Sequence, residues 1–358
     1  MPYEADAYSA QPVSIASTEL RDLIDQLSRL ATPHDSANLE LYRTMLSSVT
    51  RMAQADRNRW DAKIMMQTLH EMEHAFSTLD QFKGRRKVTV FGSARTPADH
   101  PLYAQARELG EALAALDLMV ITGAGGGIMA AAHEGAGLDH SIGLNITLPY
   151  EQTANATVIG SEHLLSFHFF FLRKLFFVKE ADALVLLPGG FGTLDEALEV
   201  LTLIQTGKSP IVPVVLLDQP GGQFWPATLS YLTEQLQDNG YILPSDLKLM
   251  RLAHSVAEVV EEITRFYSNY HSSRWLEDLF VIRMHRPLTE QCLHQISHAF
   301  ADLCTDGSFQ LQGPCDSEQD EPECIELTRL AFNFNGRNYG RLRELIDVIN
   351  QPAHWLND

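Results

Sequence analysis

The stretch Pro188-Gly189-Gly190-Phe191-Gly192-Thr193-Leu194-Asp195-Glu196 joins two segments of different hydrophobic period. Before it runs Ala183-Leu184-Val185-Leu186-Leu187, the continuous apolar pattern of a strand buried on both faces. After it, Leu194, Ala197, Leu198, Leu201 and Ile204 recur at helical spacing. The stretch therefore reads as a strand–glycine turn–helix junction. Glycines let backbone N–H groups approach an anion closely, and a helix start offers unpaired donors and a positive dipole end. That makes a phosphate cradle with a carboxylate, Glu196, one turn inside the helix. The same residues admit a structural reading, because Thr193-x-x-Glu196 is also a capping box with Thr193 as N-cap. Residue types alone leave both readings open.

The whole string resembles the PGGxGTxxE signature of the LOG ("lonely guy") family, long labelled lysine decarboxylases. The resemblance runs from about Lys87 to about Asp218. It implies a phosphoribohydrolase, an enzyme that cuts the N-glycosidic bond of a nucleoside 5′-monophosphate, either a cytokinin riboside monophosphate or an ordinary purine or pyrimidine nucleotide such as AMP. In that reading Gly189, Gly190, Gly192 and Thr193 bind the phosphate. Glu196 stabilises an oxocarbenium-like transition state, holds a ribose hydroxyl or orients water.

Three further motifs belong to the resemblance. Phe91-Gly92-Ser93-Ala94-Arg95 follows an apolar strand pattern and matches the family's Gly-Ser turn. Thr122-Gly123-Ala124-Gly125-Gly126-Gly127-Ile128-Met129 matches the family's second glycine loop, usually written GGGPGIMEAANRGA. Here Ala124 replaces a glycine, Gly126 the proline, Ala130 the glutamate, His133 the asparagine and Glu134 the arginine. The match implies Gly92, Ser93, Gly125, Gly126 and Met129 as binding residues. Third, Arg173 and Lys174 sit inside Phe169-Phe170-Phe171-Leu172-Arg173-Lys174-Leu175-Phe176-Phe177. Buried charge must find a counter-charge, and the family has an Arg-Lys pair at this place. The resemblance makes Arg173 catalytic and Lys174 a substrate-binding residue.

Other patterns point elsewhere and are weaker. A GxGxxG dinucleotide fingerprint would need glycine where Ile128 stands, and the next strand supplies no acid for a ribose diol. Thr206-Gly207-Lys208-Ser209 ends like a P-loop but lacks the first glycine, and Gly207 reads as a helix C-cap. His70-Glu71-Met72-Glu73-His74 matches HExxH on a helix and keeps a zinc hydrolase in view. Cys292, Cys304, Cys315 and Cys324 form no CxxC pair and read as reduced thiols. No metal or redox cofactor is expected, and no lysine stands in a pyridoxal context.

The 358 residues carry 46 acids against 27 bases, a formal charge of −19. Such a surface repels nucleic acid but leaves room for a small phosphorylated ligand held locally. The most apolar stretch, Leu164 to Val178, contains His168, Arg173 and Lys174, so no membrane span is expected. The acidic start Met1-Pro2-Tyr3-Glu4-Ala5-Asp6 lacks a signal pattern, which points to the cytoplasm.

Apolar stripes over Leu20–Leu30 and Met65–Leu79 give an N-terminal helical region, 1–85, ended by Gly84-Arg85-Arg86. From Lys87 strands and helices alternate. Strands are expected at Val88–Phe91, Met119–Thr122, Ile142–Leu148, Ala183–Leu187, Ile211–Leu217 and Leu247–Leu252. Helices are expected at Leu102–Leu116, Gly127–Gly137, His168–Lys179, Thr193–Gln205, Pro226–Asn239 and Val256–Tyr270. That order is α/β: a Rossmann-like, doubly wound parallel sheet over 86–270 with ligands at the carboxyl ends of its strands. Residues 271–358 read as a small α+β module, with strands at Leu279–Met284, Phe309–Leu311 and Leu330–Phe334 and helices at Pro287–Cys304 and Arg341–Asn350. The polar loop 150–166 is a candidate lid. The acidic loop between Gly313 and Glu326 reads as a solvated excursion.

The expected function is thus a nucleoside-5′-monophosphate phosphoribohydrolase. The alternative is a nucleotide-binding sensor or carrier that uses the flanking regions for output. A helix around Arg173 that is apolar on every side needs cover on every side, so a homodimer is expected.

Overall fold

The computed structural model describes residues 17–148, 153–315, 318 and 321–356. It divides into two compact units, Tyr3–His74 and Ala75–Asp358, with the boundary inside a helix. The first unit contains α1 (Thr18–Ala31), α2 (Leu39–Gln54) and most of α3 (Arg59–Asp80). Ser17 caps α1 through a bond from the Leu20 N–H, and Ile24 and Ser28 are buried.

The second unit is built on seven parallel strands. They are β1 (Lys87–Phe91), β2 (Met119–Thr122), β3 (Ser141–Ile146), β4 (Leu164–Phe167), β5 (Ala183–Leu186), β6 (Val214–Leu217) and β7 (Met250–Ala253). Their order in the sheet is β4-β3-β2-β1-β5-β6-β7. The chain winds outward in one direction from β1 and, after crossing back, in the other from β5. Between β1 and β5 lies the switch point, where the crossovers leave the ends of the strands uncovered and ligands bind. The register fixes that junction: Val88 faces Ala183 and Phe91 faces Leu186.

Helices α4 (Pro101–Ala115), α5 (Ile128–Ala136), α6 (Phe170–Lys179), α7 (Phe191–Gln205), α8 (Phe224–Tyr231) and α9 (Val256–Phe266) connect these strands. Strands β1, β2, β5 and β6 are fully buried. On one face Val88, Val90, Val185 and Val215 pack with Leu109 and Leu113 of α4, Ala131 of α5 and Val259 of α9. Near α6, Phe91 meets Phe177 edge to face at 4.9 Å and Phe167 stacks on Phe176 at 5.6 Å.

At Tyr270 the chain changes sheet within the same unit. Strands β8 (Tyr270–Leu276), β9 (Leu279–Met284), β10 (Gln310–Gln312) and β11 (Thr328–Phe332) form an antiparallel sheet in the order β10-β11-β9-β8. Helices α10 (Glu290–Ala299) and α11 (Tyr339–Ile349) accompany it.

Several expectations need correction. Strand β4 was not foreseen, because Leu164-Leu165-Ser166-Phe167 merges in sequence with the apolar helix after it. Strand β8 was hidden because YHSSRWL is half-buried and polar; the expected helix stops at Phe266. The segment expected as Pro226–Asn239 divides into α8 and a wider π turn, Leu232–Gln237. Of the candidate lid, residues 150–152 lie outside the described residues. Its remainder is anchored, with Asn155 and Val158 buried and the last residues in β4.

The acidic loop is not simply solvated. Asp316 and Asp320 lie outside the described residues, but Glu318 is buried between Arg283 (Nε 2.8 Å) and Arg329 (Nε 3.1 Å), both also buried. It also accepts the Cys315 N–H at 3.0 Å. Neighbouring Glu321 pairs with Arg283. Two arginines on β9 and β11 thus draw the loop onto the sheet. No helix among the described residues is long and apolar enough to cross a membrane.

Glu318→Gln would leave the buried Arg329 without a carboxylate and Arg283 with Glu321 alone. Removing one partner of a buried ion pair costs about 3–5 kcal/mol, against about 0–1 for an exposed pair. Urea unfolding is expected to show the larger loss. A change below about 1 kcal/mol would mean that the loop contributes as a surface feature.

Candidate active site

Two of the glycine turns leave the ends of β1 and β5 at the switch point, and the third leaves β2 beside them. Between them opens a cleft of about 640 Å³. Gly92, Ser93, Met129, Arg173, Gly189, Gly190, Gly192, Thr193 and Glu196 all line it. The turns are tied together: the Ser93 N–H donates to the Pro188 carbonyl at 3.1 Å, and the Ile128 N–H donates to the Ser93 carbonyl at 3.1 Å. Two glycines are required by this closeness. A Cβ on Gly189 would lie 2.1 Å from Thr193 Oγ1. A Cβ on Gly127, which has φ +59°, would lie 2.3 Å from the Ser93 carbonyl oxygen.

The α7 end of the cleft differs from the capping-box expectation. The helix begins at Phe191, so Gly190 is the N-cap and no side chain caps it. Thr193 is already in the third helical position, buried, with Oγ1 packed toward Gly189. Glu196 lies too far along the helix to reach the cap. The capping reading fails because the helix starts two residues before Thr193. The first-turn N–H groups at this end are those an α-helix leaves without internal partners.

Glu196 is 4% exposed. Burial pushes its carboxyl up to about 7, against the opposing pull of the Lys174 and Arg173 charges. Its Oε2 lies 3.5 Å from Lys174 Nζ and makes no hydrogen bond. Lys174 does not line the cleft; it stands behind Glu196, 2.8 Å from Asp195 and 2.6 Å from Glu199. Burial opposes its charge, but these carboxylates more than offset it and hold its pKa above the ordinary value.

Arg173 reaches the cleft from α6, with its guanidinium carbon 5.0 Å from the Phe170 ring centre and 5.4 Å from that of Phe177. Burial lowers its pKa, with Glu196 and Asp195 working the other way. Its Nε is buried without a hydrogen-bond partner. The cleft therefore presents a buried carboxyl and a half-buried guanidinium, each with a buried polar atom that has no hydrogen-bond partner among the described residues. Native interiors rarely leave such groups without a partner.

Gly125 and Gly126 do not line the cleft. Gly125 is buried and its carbonyl accepts from Asn155 Nδ2 at 3.2 Å, whereas Gly126 is exposed beside Ala94. The second loop is fastened from beneath. Thr122 Oγ1 is 3.1 Å from His133 Nε2, and Asn155 Nδ2 is 3.2 Å from His133 Nδ1. Since Asn155 Nδ2 can only donate, Nδ1 accepts and Nε2 carries the proton toward Thr122. Burial holds this histidine neutral, with its pKa down to about 4. The Asn155 N–H also donates to the Ala124 carbonyl at 2.8 Å. His133, where the family has asparagine, is thus a loop support. Glu134 bonds Tyr103 on α4 at 2.7 Å.

Lining residues missed from sequence include Arg95, Gly123, Ile146, Leu148 and Phe170. Arg95 and Gly123 belong to the quoted turns and could have been found there; Ile146 and Leu148 resemble ordinary core. Among the described residues no group of three or more His, Cys, Asp or Glu is placed to hold a metal.

A family model described as "Possible lysine decarboxylase" matches residues 126–263. A rice (Oryza sativa subsp. japonica) protein named "Probable cytokinin riboside 5′-monophosphate phosphoribohydrolase" is 31% identical over 192 residues, 52% of this chain and 75% of that one. A cytokinin riboside 5′-monophosphate phosphoribohydrolase of Arabidopsis thaliana is 29% identical over 188 residues, 51% of this chain and 83% of that one. Among solved structures, the molybdenum cofactor carrier protein of Chlamydomonas reinhardtii covers 51% of this chain at 22% identity, with a TM-score of 0.34.

The raised Glu196 carboxyl has a consequence for stability. Its folded pKa, about 7, lies above the ordinary 4.5. The fold therefore favours the protonated form, and that contribution is complete below 4.5 and lost as pH rises through about 7. Glu196→Gln cannot lose it. The melting temperature of the variant relative to the parent is expected to rise between pH 4.5 and 7.5; a constant difference would place Glu196 at its ordinary pKa.

Proposed function

The chain belongs to the LOG family, and from that membership and the cleft we propose that it is a nucleoside-5′-monophosphate phosphoribohydrolase. The observation that carries this reading is the buried Glu196 and the half-buried Arg173, each with a buried polar atom that has no hydrogen-bond partner among the described residues, beside an uncapped helix start. A phosphorylated sugar supplies what both ends lack. Its phosphate accepts N–H groups at the turn Gly189–Thr193, with Gly92 and Ser93 closing the other side. That anchoring fixes the ribose against Glu196, which gives the reaction its orientation.

In the reaction a water oxygen adds at C1′, the C1′–N bond breaks, its electron pair leaves with the base, and a proton follows to the base. The products are free base and ribose 5-phosphate. The transition state is cationic at the sugar, and the Glu196 carboxylate stabilises it or orients the water. Arg173 faces the negative charge of the phosphate or of the departing base. Lys174 acts from behind: it holds the pKa of Glu196 down and so keeps more of it ionised. The residues ask for no metal or redox cofactor.

Two copies of the chain are part of the reading. Phe170 and Phe171 on α6 are 52% and 56% exposed, contrary to the expectation of a helix buried all round. Phe191, at the cleft mouth, is 94% exposed, and Leu198 on α7 is half exposed. Apolar groups gathered on two adjoining helices favour a homodimer built there.

Incubation with a panel of nucleoside 5′-monophosphates is expected to release base and ribose 5-phosphate, with AMP preferred to adenosine. Binding without release would favour the sensor or carrier. Glu196→Gln should lower kcat by about 10²–10⁴-fold while nucleotide still binds; turnover near that of the parent would remove Glu196 from the chemistry. Because the ionised form acts, kcat/KM should rise with pH through about 7. Lys174→Gln should move that limb to higher pH, and an unmoved limb would separate Lys174 from Glu196. Light scattering should find a dimer that Phe171→Glu converts to monomer; a monomeric parent would reject the assembly.

A further inference from the structure

A second polar cavity, of about 490 Å³, lies where β1 and β5 begin, on the rim of the sheet opposite the glycine turns. Five cations line it: Lys83, Arg85, Arg86, Lys87 and Lys179. Only two acids do, Glu180 and Asp182. The chain as a whole is strongly anionic, with a net charge of −19.

The two acids are already divided. Glu180 serves two lysines, 2.5 Å from Lys179 and 3.3 Å from Lys87. Asp182 accepts the backbone N–H of Lys87 at 2.8 Å and leaves Arg86 a long contact of 3.4 Å. Lys83 pairs with the exposed Asp80, and Arg85 turns to Asp117 and the Asp139 carbonyl. The Arg86 guanidinium carbon lies over the Tyr267 ring, 3.7 Å from its centre. The neighbouring His271 ring also lines the cavity; burial first, and then the Arg86 charge, push its pKa down to about 4.

We propose that this cavity is a second ligand site, separate from the cleft, for a small oligophosphate. Its volume is that of a small-molecule pocket, which typically spans about 300–1,000 Å³. Its lining holds five cations against two carboxylates; Asp80 and Asp117 meet Lys83 and Arg85 from outside it, and exposed pairs of that kind are weak enough for a phosphate to compete with. Guanidinium forks and lysine point charges are the usual recognition of phosphate. None of its residues belongs to the cleft, so the inference is independent of the reaction assigned there.

Calorimetric titration of the full chain with inorganic tripolyphosphate at low ionic strength tests it, without any turnover. Lys83→Gln with Lys179→Gln removes two exposed cations, so the variant should keep its fold and its basal activity. Its affinity for tripolyphosphate should fall about three- to tenfold, as expected for two solvent-facing charge contacts. Arg173→Ala, in the cleft, should leave the affinity within about twofold, because its charge lies on the far rim. Unchanged binding in the double variant, loss of binding in Arg173→Ala alone, or no binding by the parent would each overturn the proposal.

Discussion

The reversal of strand order between β1 and β5 is the constraint on which the rest of this molecule depends. Strands that pair directly, Phe91 beside Leu186, send their chains away on opposite courses. The gap they leave is filled by turns instead of helices. Those turns must pass within bonding distance of each other, as the Ser93 N–H to the Pro188 carbonyl and the Ile128 N–H to the Ser93 carbonyl do. Side chains at Gly127 and Gly189 would collide there. Gly127 and Gly189 follow from that geometry, and so does the opening onto the N-terminus of α7, where Gly190 and Gly192 face open space.

Electrostatics then distinguishes this opening from an ordinary crevice. Asp195, Glu196 and Glu199 on α7 face one lysine, Lys174, from α6. Lys174 sits closest to Asp195 and Glu199, so Glu196 receives the weakest share of its charge while being the most buried of the three. The result is one carboxyl raised to about 7 beside two acids that hold the lysine. Environments that push neighbouring groups apart in this way are how one site separates chemistry from support.

Much of this was legible in the sequence, for stated reasons. The strands that flank the switch point are buried on both faces, so their apolar runs are continuous and their positions were readable to within a residue or two. Glycine motifs pointed to Gly92, Gly189, Gly190 and Gly192 of the cleft but also to Gly125 and Gly126, which do not line it. What escaped is where chemistry and position part company. Tyr270–Leu276 is a half-buried strand with a polar sequence. Glu318 stands in an acidic run yet is buried by two arginines distant in the chain. Asn155 lies in a polar loop but supports His133, a pairing fixed only by tertiary contact. The start of α7 two residues early turned Thr193 from cap to interior, which local propensity did not reveal.

The proposed reaction requires a Glu196 carboxyl raised by burial and reached by a sugar phosphate. Carboxyl-carbon NMR of glutamate-labelled protein, titrated with and without ribose 5-phosphate, examines both at once. One resonance, absent from Glu196→Gln, is expected to titrate near 7 and to move when ribose 5-phosphate is added. A Glu196 resonance that titrates near 4.5 and ignores ribose 5-phosphate would contradict it.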